Sequence, residues 1–267
     1  MIMNILLSTN TFIESGLKSL EEVMNKETGI NFGLEIFPNW ENEAFNRDIE
    51  ALKPLIENRH LTVHGPYFKV EHSAPKGTES YDYSMEQIDK TLELCRTLGI
   101  NHLVFHHNNK KIDEDNKTES IEESTKNLHE LNEICKKAEV EILIENAGVK
   151  SKDNMLFDEE EFIAMAKIEK NNVLIDIGHV HANGWDMEKV IVSLADKITH
   201  FHLHNNDGFH DDHNRINDGS LDFDAFIRLH QKHTPDADLV LEYNYDIGYD
   251  TDKIVEDINY LKEKFNL

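Results

Sequence analysis

The chain has 267 residues, with 27 Lys and Arg against 52 Asp and Glu, a formal net charge of −25. That length suits one large α/β barrel and buries a core without disulfide staples; the two cysteines, Cys95 and Cys135, fall in helical text and read as thiols of a reducing compartment. The acidity works against general binding to nucleic acid, no apolar run approaches the roughly 20 residues of a bilayer span, and the short opening MIMNILLST reads as a strand rather than a leader, so a soluble, cytoplasmic protein is expected.

Short apolar, β-branched runs recur along the chain at 4–8, 32–37, 61–64, 102–107, 140–146, 172–179, 198–204 and 239–243. Between and after them lie Glu/Lys-rich stretches of helical period, at 16–25, 45–57, 84–98, 119–138, 158–169, 186–195, 222–233 and 251–265. Strand–helix alternation of this kind builds βαβ units and a parallel sheet. Eight units predict a closed (β/α)8 TIM barrel of class α/β. An open doubly wound sheet is the other candidate, but no GxGxxG follows the first strand. No Pro-, Gly- or Ser-rich linker divides the chain, so residues 1–267 read as a single barrel domain. The acidic runs at 113–116 and 158–161 read as a solvated loop and a helix start, where the dipole favours carboxylates.

The residues at the C-terminal ends of these strands carry the functional signal. The second strand ends at Glu35, the third at His64 and the fourth at His106. The fifth ends at Glu145, the sixth at Asp176, the seventh at His202 and the eighth at Glu242; only the first ends blandly, in Ser8 and Thr9. In a barrel these ends meet at one mouth. A lone His or Glu there is ordinarily a cap or a surface residue, but seven of eight together make a ring of imidazoles and carboxylates. That is the ligand chemistry of Zn, Mn or Fe, and so many carboxylates without a cation would repel one another.

Two segments are densest. In LIDIGHVHANG (174–184), Asp176 and His179 fall on the strand end and the turn after it, and His181 reads as neither ligand nor support. In THFHLHNNDGFHDDH (199–213), alternation puts His200, His202 and His204 on one strand face. His202 lies at the depth of the mouth. His200 reads as deeper or packed, and His204 as a support to the ligands. Asp211 and His213, one residue apart, can reach one ion from a loop, while His210 and Asp212 read as solvated.

With these residues in view, the chain resembles the xylose isomerase-like TIM barrel superfamily, which includes sugar phosphate isomerase/epimerases and the family-2 AP endonucleases of the endonuclease IV type. The resemblance covers almost the whole chain through TVHGPY, VFHHN, LIENAG, IDIGHVHANG, HFHLHNNDG, DDHNRINDGSLDF and LEYN. Likeness to the endonucleases implies up to three zinc ions, held by His64, His106, Glu145, Asp176, His179, His202, Asp211, His213 and Glu242, with Glu145 bridging. Likeness to the isomerases implies one divalent metal, Zn or Mn, held by Glu145, Asp176, His202 and Glu242; Glu145 and Glu242 would then also shuttle a proton, and His179 would touch a substrate oxygen. The loop after the second strand, FPNWENEAFNRD, is acidic and lacks the early arginine expected of a loop that enters DNA.

The first expectation is therefore a metal-dependent isomerase or epimerase of a sugar-like hydroxy-carbonyl compound, with proton transfer through an enediolate by the glutamate pair. Trp40, Phe37, Tyr67 and Phe68 are expected over the mouth to cover the substrate. Lys110, with Lys69, Lys76, Lys111, Lys150, Lys152 and Arg215, falls in mouth loops and offers a phosphate or carboxylate contact. The alternative is a zinc-dependent AP endonuclease with DNA as partner, Tyr67 and Phe68 wedging into the duplex. A barrel that binds a metabolite without turnover, or a lyase or dehydratase using enolate chemistry, forms a third class. No residue demands pairing, although a homodimer fits barrels of this kind, and no membrane partner is expected.

Overall fold

A computed structural model describes residues 3–27, 29 and 31–267. Eight parallel strands pair in sequence order and the last returns to the first: β1 (Ile5–Ser8), β2 (Phe32–Ile36), β3 (Leu61–His64), β4 (His102–Phe105), β5 (Glu141–Glu145), β6 (Asn172–Asp176), β7 (Ile198–Leu203) and β8 (Asp238–Leu241). Closure runs through Ile5–Leu7 of β1 against Leu239–Leu241 of β8. The expected (β/α)8 barrel is thus the observed architecture.

The helices are α1 (Leu17–Lys26), α2 (Glu43–Ile56), α3 (Glu79–Leu98), α4 (Lys117–Lys137), α5 (Glu159–Ile168), α6 (Ile177–Ala182), α7 (Met187–Leu194), α8 (Phe223–His233) and α9 (Thr251–Phe265). Part of the acidity serves helix starts. Asp158 caps α5 and shares a reciprocal capping box with Glu161, while Asp186 and Asp222 cap α7 and α8 through their side chains. The acidic run at 158–161 is therefore a helix start, as its composition predicts. The run 172–179, read as one strand, instead stops at Asp176. Its carboxylate accepts from the His179 backbone N–H at 2.7 Å and opens α6 there. Among the described residues no helix is long and apolar enough to cross a membrane.

Alternation sorts the strand side chains into two environments. Ile36, Val63, Phe105, Ile144, Ile175, Phe201 and Leu241 all pack into the large apolar layer beneath the helices. Val104, Leu143 and Leu174 form a small separate cluster inside the barrel. Two residues further along the same strands, on the same inward faces, stand His106, Glu145 and Asp176. The barrel therefore has an apolar waist with an ionisable layer above it.

Candidate metal centre

The strand-end residues meet as the topology requires. Glu145, 3% exposed, is the hub. His106 Nε2 lies 2.9 Å from its Oε2, His202 Nδ1 at 3.6 Å and His64 Nε2 at 3.8 Å, while His179 Nδ1 lies 3.4 Å from Oε1. Glu242 reaches the same His202 nitrogen, with Oε2 3.2 Å from Nδ1. Asp176 Oδ2 is 3.8 Å from both His202 Nδ1 and His179 Nδ1. Asp211 Oδ1 gathers His213 Nε2 at 3.2 Å, His179 Nε2 at 3.4 Å and His204 Nε2 at 3.8 Å. All nine residues read as ligands from the sequence are brought together.

Local structure explains how each is held. Asn146 clamps the end of β6: its Oδ1 accepts from Asp176 N at 2.7 Å and its Nδ2 donates to Asp176 O at 3.0 Å. The loop after β7 folds back on itself, Asn205 and Asn214 exchanging backbone hydrogen bonds of 3.0 and 2.9 Å. That return brings Asp211 and His213 over the mouth. His213 takes φ 51°, a left-handed conformation that costs a non-glycine residue of order 1 kcal/mol or more, and its Nδ1–H donates to the Glu242 carbonyl, 3.0 Å away. His204 stacks on His213 with centroids 3.8 Å apart and bonds Asp176 through Nε2, 3.1 Å from Oδ1. Gly178 makes room for it, because a Cβ there would stand 2.0 Å from His204 Cε1.

Burial alone would raise the carboxyls and lower the imidazoles. The mutual pairing outweighs it. His106, His202 and His179 hold Glu145 well below the usual carboxylate range, and His179, His204 and His202 do the same for Asp176. Against its burial, His179 is lifted to about 10 by Asp176 and Asp211, and His213 to about 9 by Asp211. His64 goes the other way: burial and the neighbouring His106 lower it.

The donor set fits divalent cations. Ligand atoms lie within 4.8 Å of one another in the groups His64–His106–Glu145, Glu145–Asp176–His202, Glu35–His202–Glu242 and His179–His204–Asp211–His213. His179 Nδ1, His202 Nδ1 and Asp211 Oδ1 are buried without a hydrogen-bond partner although carboxylates or imidazoles face them. Opposed atoms of this kind are what an ion between them would satisfy.

Above the cluster opens a cavity of about 470 Å³, lined by Phe37, Tyr67, Phe68, Lys152, Tyr245 and seven of the nine ligand candidates, with Asp176 and His202 fully buried beneath it. Tyr67, Phe37 and Phe68 stand at the mouth as expected. Trp40 and Lys110 do not line this cavity. The Trp40 indole donates to Thr91 Oγ1 on α3 at 3.0 Å and packs on Phe45, and the Lys110 backbone is drawn aside by Glu71 at 2.7 Å, leaving its side chain exposed. Of the seven basic residues expected around the mouth, Lys152 alone lines it, 2.7 Å from Asp211 Oδ2; Arg215 pairs with Asp257 and Lys69 with Glu41. Two residues carry more than the sequence assigns them: Glu35 stands in the ring of strand ends but in neither ligand set, and Lys152 is one of seven basic residues expected at the mouth. Glu35, fully buried, accepts from His202 Nε2 at 2.9 Å and from Thr62 at 3.2 Å; its position at the end of β2 was the available signal. Lys152 gave no signal beyond its charge, because its aim depends on a 3₁₀ turn at Lys150–Lys152.

The family model for xylose isomerase-like TIM barrels matches residues 26–264. An uncharacterized protein of Methanocaldococcus jannaschii is 30% identical over 129 residues, which is 44% of this chain and 50% of that protein; the chain thus matches about half the length of this relative. Among solved structures, a D-tagatose 3-epimerase-like protein superposes with TM-score 0.76 at 20% identity, covering 98% of this chain and 99% of that one. The IOLI protein with a bound zinc atom gives TM-score 0.76 at 20% identity, covering 99% and 100%. A family 2 AP endonuclease from Brucella melitensis gives 0.70 at 13%, covering 93% and 97%. At these identities the likeness to the solved structures is one of fold.

Proposed function

The chain belongs to the xylose isomerase-like TIM barrel family, and on that premise we propose that it is a divalent-metal-dependent isomerase or epimerase of a sugar or similar hydroxy-carbonyl compound. The observation that carries this reading is the convergence of Glu145 and Glu242 on one nitrogen of His202 at the floor of the mouth cavity: two buried carboxylates, 3.6 and 3.2 Å from His202 Nδ1. Glu145, Asp176, His202 and Glu242 would hold the metal. When bound, the ion polarises a carbonyl and its neighbouring hydroxyl and offsets the negative charge that develops on them.

The rest is done by the chain. One glutamate removes a proton from the carbon beside the carbonyl and the other returns one to the opposite face. His179 would donate to a substrate oxygen. Glu35 fixes the His202 ring through Nε2, so that Nδ1 faces the carboxylates. Tyr67 and Phe37 cover an apolar sugar face. Lys152 offers one cation at the rim for a phosphate or carboxylate, released from Asp211 when that carboxylate is otherwise engaged.

The AP endonuclease reading keeps one observation in its favour, the convergence of all nine candidate ligands, including Asp211 and His213 from the loop after β7. Against it stand the net charge of −25 and a cavity rim with a single lining lysine. The deciding experiment incubates the zinc- or manganese-loaded protein with ketoses and ketose phosphates in D2O, and separately with an abasic duplex at low salt. Deuterium entering at carbon in the wild type, lost in Glu145→Gln and in Glu242→Gln, supports the isomerase or epimerase. Nicking of the duplex with no exchange into any sugar would replace it with the endonuclease.

A further inference from the structure

The opposite end of the barrel holds a second group of imidazoles and a carboxylate that the mouth does not use. Asp238 begins β8, His200 lies on β7 below His202, and His60 immediately precedes β3. One ligand atom from each lies within 4.8 Å of the others. Asp238 Oδ2 is 2.9 Å from His60 Nε2 and 3.6 Å from His200 Nε2. A tetrahedral zinc site with bonds of about 2.0 Å has ligand–ligand edges of roughly 3.3 Å, which these distances bracket.

The second observation is that a buried nitrogen is idle. His200 is 2% exposed, yet its Nε2 has no hydrogen-bond partner, while His60 Nε2 stands in ion-pair range of Asp238. The outer atoms are engaged instead. His200 Nδ1 bonds Thr199 Oγ1 at 2.9 Å, so its Nε2 is turned to the carboxylate. Asp238 Oδ1 accepts from the Asn4 backbone N–H at 2.7 Å and from Asn4 Nδ2 at 3.0 Å, and its Oδ2, which the same Nδ2 reaches at 3.2 Å, lies nearest the histidines. This is the arrangement in which surrounding hydrogen bonds orient metal ligands. The His60 backbone is fixed as well: its carbonyl accepts from Leu34 N at 3.1 Å, and Gly33 permits that approach because a Cβ there would stand 2.1 Å from the His60 oxygen. His102 lies edge-on to His200, ring centroids 5.1 Å apart, and its Nδ1 is also buried without a partner. The His60 side chain is 32% exposed and gives an ion its route from solvent.

We propose that His60, His200 and Asp238 form a structural divalent-metal site of the zinc class at the N-terminal end of the barrel, with water or His102 completing the coordination. Two neutral imidazoles and one carboxylate suit Zn2+ over Mg2+ or Ca2+. The site would tie the entry to β3, the strand β7 and the seam where β8 closes on β1, elements remote in sequence. Its place on the face away from the mouth fits a role in stability. It stands independently of the reaction assigned to the mouth.

The test strips untagged protein with chelator, restores it with Zn2+ or Co2+, and measures equivalents bound by elemental analysis together with the zinc-dependent rise in Tm. His60→Gln is the principal variant because that side chain is partly exposed; Asp238→Asn is the second. The expected result is one equivalent fewer in each, with affinity for that equivalent reduced at least about 100-fold, a smaller zinc-dependent rise in Tm, and unchanged Tm of the stripped protein for His60→Gln. Two results overturn the site: an unchanged number of equivalents at unchanged affinity in His60→Gln, or a Tm loss that is equal with and without zinc, which would mark His60 and Asp238 as an ordinary ion pair.

Discussion

At the end of β4 two consecutive histidines leave the chain on opposite faces and meet opposite surroundings. His106 points into the mouth, where the Glu145 carboxylate at 2.9 Å raises its pKa in spite of burial. His107 points outward beneath α4, bonds the Ser124 hydroxyl at 3.0 Å, packs on Phe105 and Phe157, and is driven down to about 3 by burial. His72 lies on the same outer side against Phe105 and is lowered to about 3 as well. The contrast separates two uses of one residue type. A buried imidazole beside a carboxylate is part of a charged, ion-ready cluster, whereas one beside hydroxyls and rings is a neutral packing element.

The largest effect is expected at the hub of the mouth. Glu145→Gln should lower solvent exchange at substrate carbon by about 10² to 10⁴-fold, and metal content should fall with it; exchange at the wild-type rate would show that the mouth's charged cluster has no part in proton transfer. A paired substitution then sharpens the comparison directly. His106→Gln should weaken metal binding at the mouth by about 10-fold or more while leaving the fold intact. His107→Gln should leave metal content unchanged and cost about 1 to 3 kcal/mol in denaturant unfolding, through a poorly satisfied buried amide. Equal loss of metal in both would erase the distinction between the two faces.

The outer histidines also set a pH dependence. Their folded pKa lies below the unfolded value near 6.5, so between about pH 6.5 and 3 the unfolded chain binds protons that the folded chain does not, and stability falls as pH falls. Each contributes a slope of about 1.4 kcal/mol per pH unit in that window. His72→Phe should therefore flatten the acid limb of the stability profile by about that slope, while leaving stability above pH 7 within about 1 kcal/mol; an unchanged limb would mean that His72 is not held neutral. The smallest effect concerns a residue that the fold removes from the mouth. Trp40→Phe should cost about 1 kcal/mol by losing the bond to Thr91 and leave the KM for any substrate unaltered. A rise in KM would place Trp40 back over the cavity.

The barrel and the ring of ligand candidates were legible because both follow from period. Strands of alternating pattern fix which residue faces inward, and the last inward residue of each strand must stand at the mouth; Glu145, Asp176, His202 and Glu242 needed nothing further. His106 could be told from His107 on the same ground. Legibility ended where loops decide direction. Lys152 reaches Asp211 from a 3₁₀ turn, and Trp40 turns toward α3, on conformations that no spacing announces. The group His60–His200–Asp238 was missed for another reason. Two of its members sit at or before the starts of strands, where the search for chemistry does not begin, and His200 alone gave no sign of a partner.

The division between lumen and outer layer gives the barrel a reading frame of its own. Ile36, Val63, Phe105, Ile144, Ile175, Phe201 and Leu241 are each no more than 1% exposed, and every one of them borders, by a single position, a residue of the ionisable ring. A one-residue insertion within any strand would therefore trade a carboxylate or imidazole at the mouth for a hydrocarbon, and press a charge against the helices in the same stroke. Substitutions can tune this protein by degrees, but its strands admit length changes only in pairs, which leaves the loops as the place where such a chain acquires new specificities.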